Sequence, residues 1–384
     1  MLPVRNAKRF IDKALRQPGY AAWVAAKRLE SHLWYWRGEG RAGSPEAITL
    51  FLTHRCNLRC KMCGQWGEGG VTRKEGPDFV RQELSLVDLA AFVDGVACFR
   101  PSITLFGGEP LLHPDAVELI GYIKKKGMHC LVITNGSLVK DFAERLVASG
   151  LDELNVSLDG ARDLHDSIRG LPGLFDTIMA GLAKVREIKV REGKKKPLVN
   201  LQCTITRYNY EHLEEMIGVA KAAGADSLTF HNLIFLDRAI LEKQKPHDVA
   251  LGASSADWEG FAFEPGIDVE TLWRKVAAIR AERHAFAVDF YPNFTHAELT
   301  EYYGNPAFAP KGTAGVCLSP WIVAYVFPNG EVRPCLNSTY AYGNIKDGAF
   351  ASAWNSDKAV AFRRHLKKSR TFPVCARCTE LYRY

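Results

Sequence analysis

From Ala47 onward the chain alternates two rhythms. Short runs rich in β-branched and large apolar residues recur at "AITLFL", "SITLF" (Ser102–Phe106), "HCLVIT" (His129–Thr134), "ELNVSL" (Glu153–Leu158), "VNLQCTI" (Val199–Ile205) and "SLTFHNLI" (Ser227–Ile234). Between them lie amphipathic stretches with helical spacing: Ser85–Phe99, Pro114–Lys126, Lys140–Ala148, Leu174–Arg191 and Glu211–Ala223. Ser85 is placed to cap the first, and Gly127, Gly150 and Gly224 follow the ends of three others. Six strands alternating with helices predict a parallel sheet with right-handed crossovers. The expected fold is α/β, a partial (β/α)6 TIM-like barrel over 47–236, whose ligands sit at the carboxyl ends of the strands.

The rest of the chain departs from that rhythm. Val4 to Trp36 read as one or two helices broken near Gln17-Pro18-Gly19, an N-terminal extension over 1–46. Its Trp, Tyr and basic residues suit either packing on the barrel or peripheral contact with a membrane surface. Phe235 to about Gly266 shows little regular pattern. A helix (Val269 to Ala285) and a strand-like "FAVDFYP" follow, so 237–312 reads as a linker. From Gly312 short strands and turns predict a small cysteine-rich α+β domain over 313–384.

Composition narrows the function classes. Of 384 residues, 47% are hydrophobic, enough for a sizeable core. The formal charge of +7 is a mild excess, and Lys194–Lys196 is a short solvated run, so no nucleic-acid partner is expected. No apolar stretch is long enough to span a bilayer. Charges at Arg5, Lys8, Arg9, Asp12, Lys13 and Arg16 interrupt any signal-peptide core. The expected location is cytoplasmic, with the N-terminal helix at most peripheral at the inner membrane surface. Ten cysteines there do not form a disulfide framework. Cys98, Cys130 and Cys203 read as buried small hydrophobes.

The other seven fall into two sets. Cys56, Cys60 and Cys63 stand as C-x3-C-x2-C after the first strand. Cys317, Cys335, Cys375 and Cys378 lie in the tail. The first set lacks a fourth ligand, whereas a structural zinc is closed by four. Other short motifs share its rim: Gly107-Gly108-Glu109-Pro110 after strand two, Thr134-Asn135 after strand three, Ser157 and Asp159 after strand four, and His231 and Asn232 at strand six.

C-x3-C-x2-C followed by Gly-Gly-Glu-Pro resembles the radical S-adenosylmethionine (SAM) enzymes over about Ile48 to Ile234. The resemblance implies a 4Fe-4S cluster held by Cys56, Cys60 and Cys63, with the methionyl amino and carboxylate groups of SAM on the fourth iron. It implies that Gly107 and Gly108 let SAM approach the backbone, that Glu109 accepts from its ammonium and that Pro110 stiffens the turn. Ser157 and Asp159 resemble the motif that holds ribose or carboxylate, and Arg169 the arginine that pairs with the methionyl carboxylate. Thr134 and Asn135 would line the same pocket. Where the family often has an aromatic residue before the third cysteine, Met62 stands here.

The tail, from about Ala314 to Thr379, resembles the SPASM/twitch extension through Gly330, Gly343-Asn344-Ile345, Trp354 and the last four cysteines. Four cysteines imply one fully ligated auxiliary 4Fe-4S cluster; a zinc site is the alternative reading of the same set. The implied activity is reductive cleavage of SAM, hydrogen abstraction from the substrate and its oxidative modification, with an electron donor such as flavodoxin or ferredoxin. The substrate class stays open between a peptide and a small molecule, although no peptide-recognition domain is evident before Ala47. An envelope or lipid-linked metabolite is the alternative substrate, and a non-enzymatic iron–sulfur electron carrier the alternative class. The catalytic base is unassigned, with His231, Asp237, His247 and Tyr291 as candidates by location.

Overall fold

The computed structural model describes residues 15, 18–310 and 315–383. Most of the helical face expected around Phe10 and Ala14 lies outside them. Among the described residues one ten-stranded sheet runs through the molecule, in the order β10-β9-β8-β1-β2-β3-β4-β5-β6-β7. The expected six strands are β1 (Ala47–Phe51), β2 (Ser102–Phe106), β3 (Cys130–Thr134), β4 (Glu153–Ser157), β5 (Leu198–Thr204) and β6 (Ser227–His231), each parallel to the next. They are buried apolar strands, as a parallel sheet covered by helices requires: Ile48, Ile103, Cys130, Val132, Leu154, Leu201 and Phe230 have no exposed surface.

Both edges are extended. "FAVDFYP" supplies β7 (Ala287–Tyr291), parallel to β6 with His231 opposite Tyr291. The tail supplies β8 (Val323–Val326), parallel to β1, then β9 (Glu331–Arg333) and β10 (Gly343–Asn344), both antiparallel. One hydrogen-bonded sheet therefore runs from the segment read as a linker, through the barrel, into the cysteine-rich tail.

The helices between strands follow the sequence. Ser85 accepts the Asp88 N–H and donates to its carboxylate, a reciprocal cap on Leu86–Val96. Gly224 ends Glu215–Ala223 at φ +65°, left-handed backbone that favours glycine. Two expectations need correction. The patternless stretch after Phe235 holds a fourteen-residue helix, Arg238–Leu251, started by the Asp237 side chain accepting the Ala239 N–H at 2.6 Å. Pro246 inside it and only two buried residues hid the helical pattern. Cys98 is exposed because a 3-10 turn, Ala97–Phe99, follows the helix and turns it outward; Cys130 and Cys203 are wholly buried.

The helix Pro18–Arg37 buries Ala21, Val24, Ser31 and Tyr35. Its far end is tied to the helix Asp357–Ser369 of the tail, where Lys367 Nζ donates to Tyr35 O at 2.6 Å and Arg364 Nε to Glu39 O at 2.7 Å.

Candidate active site

The carboxyl ends of β1, β2, β3 and β4 bring the rim motifs together. After β1 the chain turns into the cysteine loop, and the backbone of Thr53–Arg55 runs against the Gly-Gly turn. Gly108 N–H donates to Thr53 O and Glu109 N–H to Arg55 O, both at 2.8 Å. A Cβ on Gly107 would stand 2.6 Å from Thr53 O, and one on Gly108 only 2.2 Å from Arg55 O. The glycines thus admit the neighbouring chain, where a close approach by SAM was expected, and they fix the cysteine loop against β2.

Glu109 is wholly buried. Its Oε1 accepts from Thr134 Oγ1 at 2.8 Å and from Leu111 N–H at 3.1 Å; its Oε2 accepts from Asn135 N–H at 2.7 Å. Burial pushes this carboxyl up to about 7, and the three hydrogen bonds oppose the shift. Pro110, also buried, opens a 3-10 turn behind it. Asn135 also reaches the cysteine loop, Nδ2 to Asn57 Oδ1 at 2.9 Å, and Asn57 Nδ2 donates to Ser137 Oγ at 2.9 Å. Sequence reasoning passed over Asn57, whose role depends on this contact between loops distant in the chain.

The helix Arg162–Arg169 closes the other side. Lys61 N–H donates to Ile168 O at 2.9 Å. Arg169 Nη1 lies 3.7 Å from Cys60 Sγ, and its Nε lies 2.6 Å from Asp159 Oδ2. Asp159 is wholly buried; its Oδ1 accepts from Thr204 N–H at 2.8 Å, and its own N–H donates to His165 Nδ1 at 3.1 Å. Burial pushes the Asp159 carboxyl up while the guanidinium pulls it down. Burial lowers His165 to about 3, so it stays neutral and accepts through Nδ1. Asp159 thus spends its carboxylate inside the protein, on Arg169 and β5, where a ribose contact was expected. Ser157, at the end of β4, is half-buried. His165 was missed although its i, i+4 spacing puts it on the helix face of Arg169.

Cys60 is buried, and Cys56 and Cys63 are half-buried. Burial raises the Cys56 thiol to about 11 and the Cys60 thiol upward as well. Trp66 N–H donates to Cys63 Sγ at 3.3 Å and Trp66 Nε1 to His54 O at 2.7 Å, which folds the loop back on itself. The Arg59 guanidinium sits 4.3 Å from the Trp66 ring centroid, and Lys61 Nζ 4.8 Å from that of Tyr208. The loop presents three soft donors from one turn, a set suited to an iron–sulfur cluster.

The tail cysteines form a second site. Cys317, Cys335, Cys375 and Cys378 all line one cavity of about 50 Å³, with Trp258 and Phe372 on its walls. Among the described residues no three His, Cys, Asp or Glu side chains gather as ligands of a single metal ion. Burial raises all four thiols, and their mutual repulsion as thiolates adds to the rise in Cys317, Cys335 and Cys378. Four thiols around one void fit a polynuclear cluster, which spaces its ligands apart and supplies the positive charge their ionisation needs. A Cβ on Gly330 would stand 2.4 Å from Asn344 Oδ1, so the two motif residues of the tail meet where β9 and β10 pair.

The candidate bases do other work. Asp237 caps a helix. Tyr291 Oη donates to Thr379 O at 2.7 Å, tying β7 to the tail. His247 Nδ1 lies 3.1 Å from His365 Nε2. His231 Nε2 lies 2.5 Å from Gln202 Oε1 on the barrel rim.

One mostly parallel α/β sheet carries a three-cysteine loop on its rim and a four-cysteine cavity in its tail. A model of the radical SAM superfamily matches residues 50–220, and one of an iron–sulfur cluster-binding domain, SPASM, matches 317–379. The chain is 31% identical to the Fe-coproporphyrin III synthase of Methanosarcina barkeri, over 92% of this chain and 84% of that protein. It is 32% identical to the AdoMet-dependent heme synthase of the same organism, over 87% of this chain and 88% of that protein. Its fold is similar to that of Streptococcus suis SuiB bound to S-adenosylmethionine, with a TM-score of 0.60 at 16% identity over 87% of this chain and 71% of that one. The chain belongs to the radical SAM superfamily. It is an enzyme of that family with an iron–sulfur cluster-binding tail, and among the described residues no helix is long and apolar enough to cross a membrane.

Proposed function

We propose that Cys56, Cys60 and Cys63 ligate the cluster that cleaves SAM, and that the substrate is a flat, carboxylated small molecule of the tetrapyrrole type. The observation that carries the first part is the three-thiol loop locked on the rim by Arg169, Asn135 and the Gly-Gly turn. When bound, cluster and SAM supply a one-electron cleavage to methionine and a 5′-deoxyadenosyl radical. The chain's own residues orient and shield. Glu109, held by Thr134 and Asn135, would serve as the counter-charge of the methionyl ammonium. Gly107, Gly108 and Pro110 set the turn that places it. Ser157 offers a hydroxyl from the end of β4. Asp159 positions Arg169, which lies against Cys60 and would offer a guanidinium to the methionyl carboxylate.

Two things support the substrate class. The relatives at 31% and 32% identity are named for making Fe-coproporphyrin III and heme. Beside the cysteine loop, the exposed cations Arg59 and Lys61 lie over the rings of Trp66 and Tyr208, apolar faces for stacking with charges for peripheral carboxylates. Anaerobic incubation with SAM, a reductant and carboxylated iron tetrapyrroles tests it. Tetrapyrrole-dependent methionine and 5′-deoxyadenosine, with a mass change in the tetrapyrrole, is expected. A mass change only in added peptide would overturn the substrate class. Cys317, Cys335, Cys375 and Cys378 would hold a single auxiliary 4Fe-4S cluster, which would supply an acceptor for the electron of substrate oxidation. A protein of the flavodoxin or ferredoxin kind delivers electrons from outside.

The helix Pro18–Arg37 supports peripheral contact with an anionic membrane. Ala22, Ala26, Leu29, Leu33 and Trp36 form an exposed apolar stripe at helical spacing, and exposed Arg37, Arg41 and Arg364 lie at its end. Co-sedimentation with anionic vesicles, lost in Leu33→Glu with Trp36→Glu, is expected; equal partition of native and double-variant chains contradicts it.

A further inference from the structure

Two buried arginines of the tail have no carboxylate within ion-pair distance among the described residues. Arg363, on the helix Asp357–Ser369, has no exposed surface. Its Nε donates to Pro320 O at 2.7 Å, and its Nη1 to Gly40 O at 3.3 Å and Asn355 Oδ1 at 3.2 Å. Trp354 covers the guanidinium at 4.2 Å. Arg377, between Cys375 and Cys378, is 1% exposed. Its Nε donates to Tyr302 O at 3.0 Å and its Nη2 to Asn305 O at 2.7 Å, while Phe235 lies over it at 4.2 Å. Arg363 Nη2 and Arg377 Nη1 are buried without a hydrogen-bond partner among the described residues. Every hydrogen-bond partner they have is a neutral oxygen, and the Asp237 carboxylate acts on Arg377 only from beyond ion-pair distance. Arg333, also near the cavity, is different: Glu331 pairs with it at 2.5 Å.

Arg363 adjoins the cavity wall, bonding Pro320 and following Phe362, both of which line it, and Arg377 stands in the chain between two of its cysteines. A buried charge without an opposite charge is expensive, so a fold that holds two implies an anion not yet counted. The cavity provides for one. Four thiolates bring four negative charges. An oxidised cubane core, with two ferric irons, two ferrous irons and four sulfides, brings two positive ones. The loaded cluster therefore carries two net negative charges, equal in number to the two guanidinium groups; Asp248 and Glu380 also line the cavity and are bonded to Ser255 and Arg383.

We infer that Arg363 and Arg377 are built-in counter-charges of a dianionic auxiliary cluster, and that they raise its reduction potential. The inference rests on the reading of the four cysteines as a cluster site. Reduction adds one electron and a third negative charge, which nearby cations favour. Both arginines are positioning residues, since neither touches the reacting atoms.

The test uses the full chain with Cys56, Cys60 and Cys63 replaced by Ala, so that only the auxiliary centre gives a signal. Iron and sulfide are counted after anaerobic reconstitution, and the midpoint is read by a redox titration followed by electron paramagnetic resonance. Arg363→Gln and Arg377→Gln should each make reduction about tenfold less favourable, about 59 mV for one electron. Arg363→Lys and Arg377→Lys should return most of that shift. A full iron count with an unmoved midpoint in both Gln variants overturns the inference alone. No iron in the chain with native arginines defeats the cluster reading and the inference together. If the Gln variants take up no iron, the metal-free chains decide. An uncompensated charge leaves each Gln variant at least as heat-stable as its Lys counterpart; Lys variants that melt higher overturn the proposal.

Discussion

Arg169 joins Cys60 to Asp159: one guanidinium lies 3.7 Å from the thiol sulfur and 2.6 Å from a wholly buried carboxylate. This link runs from the interior of the barrel to the three-cysteine loop. Arg169→Gln leaves Asp159 buried and unpaired, and should cost about 3–5 kcal/mol in unfolding free energy, as should Asp159→Ala for the converse reason. The double variant should lose clearly less than the sum. Denaturant unfolding of the four chains measures this coupling, and strictly additive losses would remove the pair from the account.

Gly108 holds the cysteine loop by having no side chain. In Gly108→Ala the new Cβ would stand 2.2 Å from Arg55 O, a backbone atom that cannot swing aside. The loop must shift, at about 1–3 kcal/mol. Iron bound at Cys56, Cys60 and Cys63 should fall while iron at the tail cysteines persists. Iron counts of Gly108→Ala in a Cys375→Ala background and a native-tail background separate the two.

Glu109 gives stability a pH dependence. Its folded value of about 7 lies above the ordinary 4.5. Between those values the folded chain keeps a proton that the unfolded chain has released. Stability is therefore greater at the acid end and declines as pH rises from 4.5 to 7, by about 3 kcal/mol in all. In Glu109→Gln that component is absent. Thermal melts of the metal-free chains across this range should show the native protein losing stability relative to the variant; parallel curves would place Glu109 in a more polar setting than the structure shows.

How much of this the sequence disclosed depended on range. The rim motifs were legible because a parallel sheet sends every strand's carboxyl end to one side, so Cys56, Glu109, Thr134 and Ser157 could be gathered from their places after β1 to β4. Contacts across distant segments were not. Nothing near Gly108 announces Arg55 O, and Asp159 gives no local sign that its partner is an arginine ten residues on. The helix Arg238–Leu251 was hidden by Pro246 and a mostly polar surface. In the tail the cysteines were readable from spacing, while Arg363 and Arg377 became distinctive only when the fold showed what they lack.

Tyr291→Phe removes one hydrogen bond, to Thr379 O, beside the second of the tail's paired cysteines. The loss should be about 1 kcal/mol, with faster proteolysis near the end of the chain and unchanged iron at the first site. Proteolysis rates equal to the native chain would mean that β7 does not anchor the tail.

The central claim is that the three-cysteine loop, and not the tail, is where SAM is cleaved. Its direct measure is anaerobic formation of 5′-deoxyadenosine from SAM and a chemical reductant. The native chain should form it. The chain with Cys56, Cys60 and Cys63 replaced by Ala should form none, and Cys375→Ala should retain a measurable part. Undiminished 5′-deoxyadenosine from the triple variant would contradict the account.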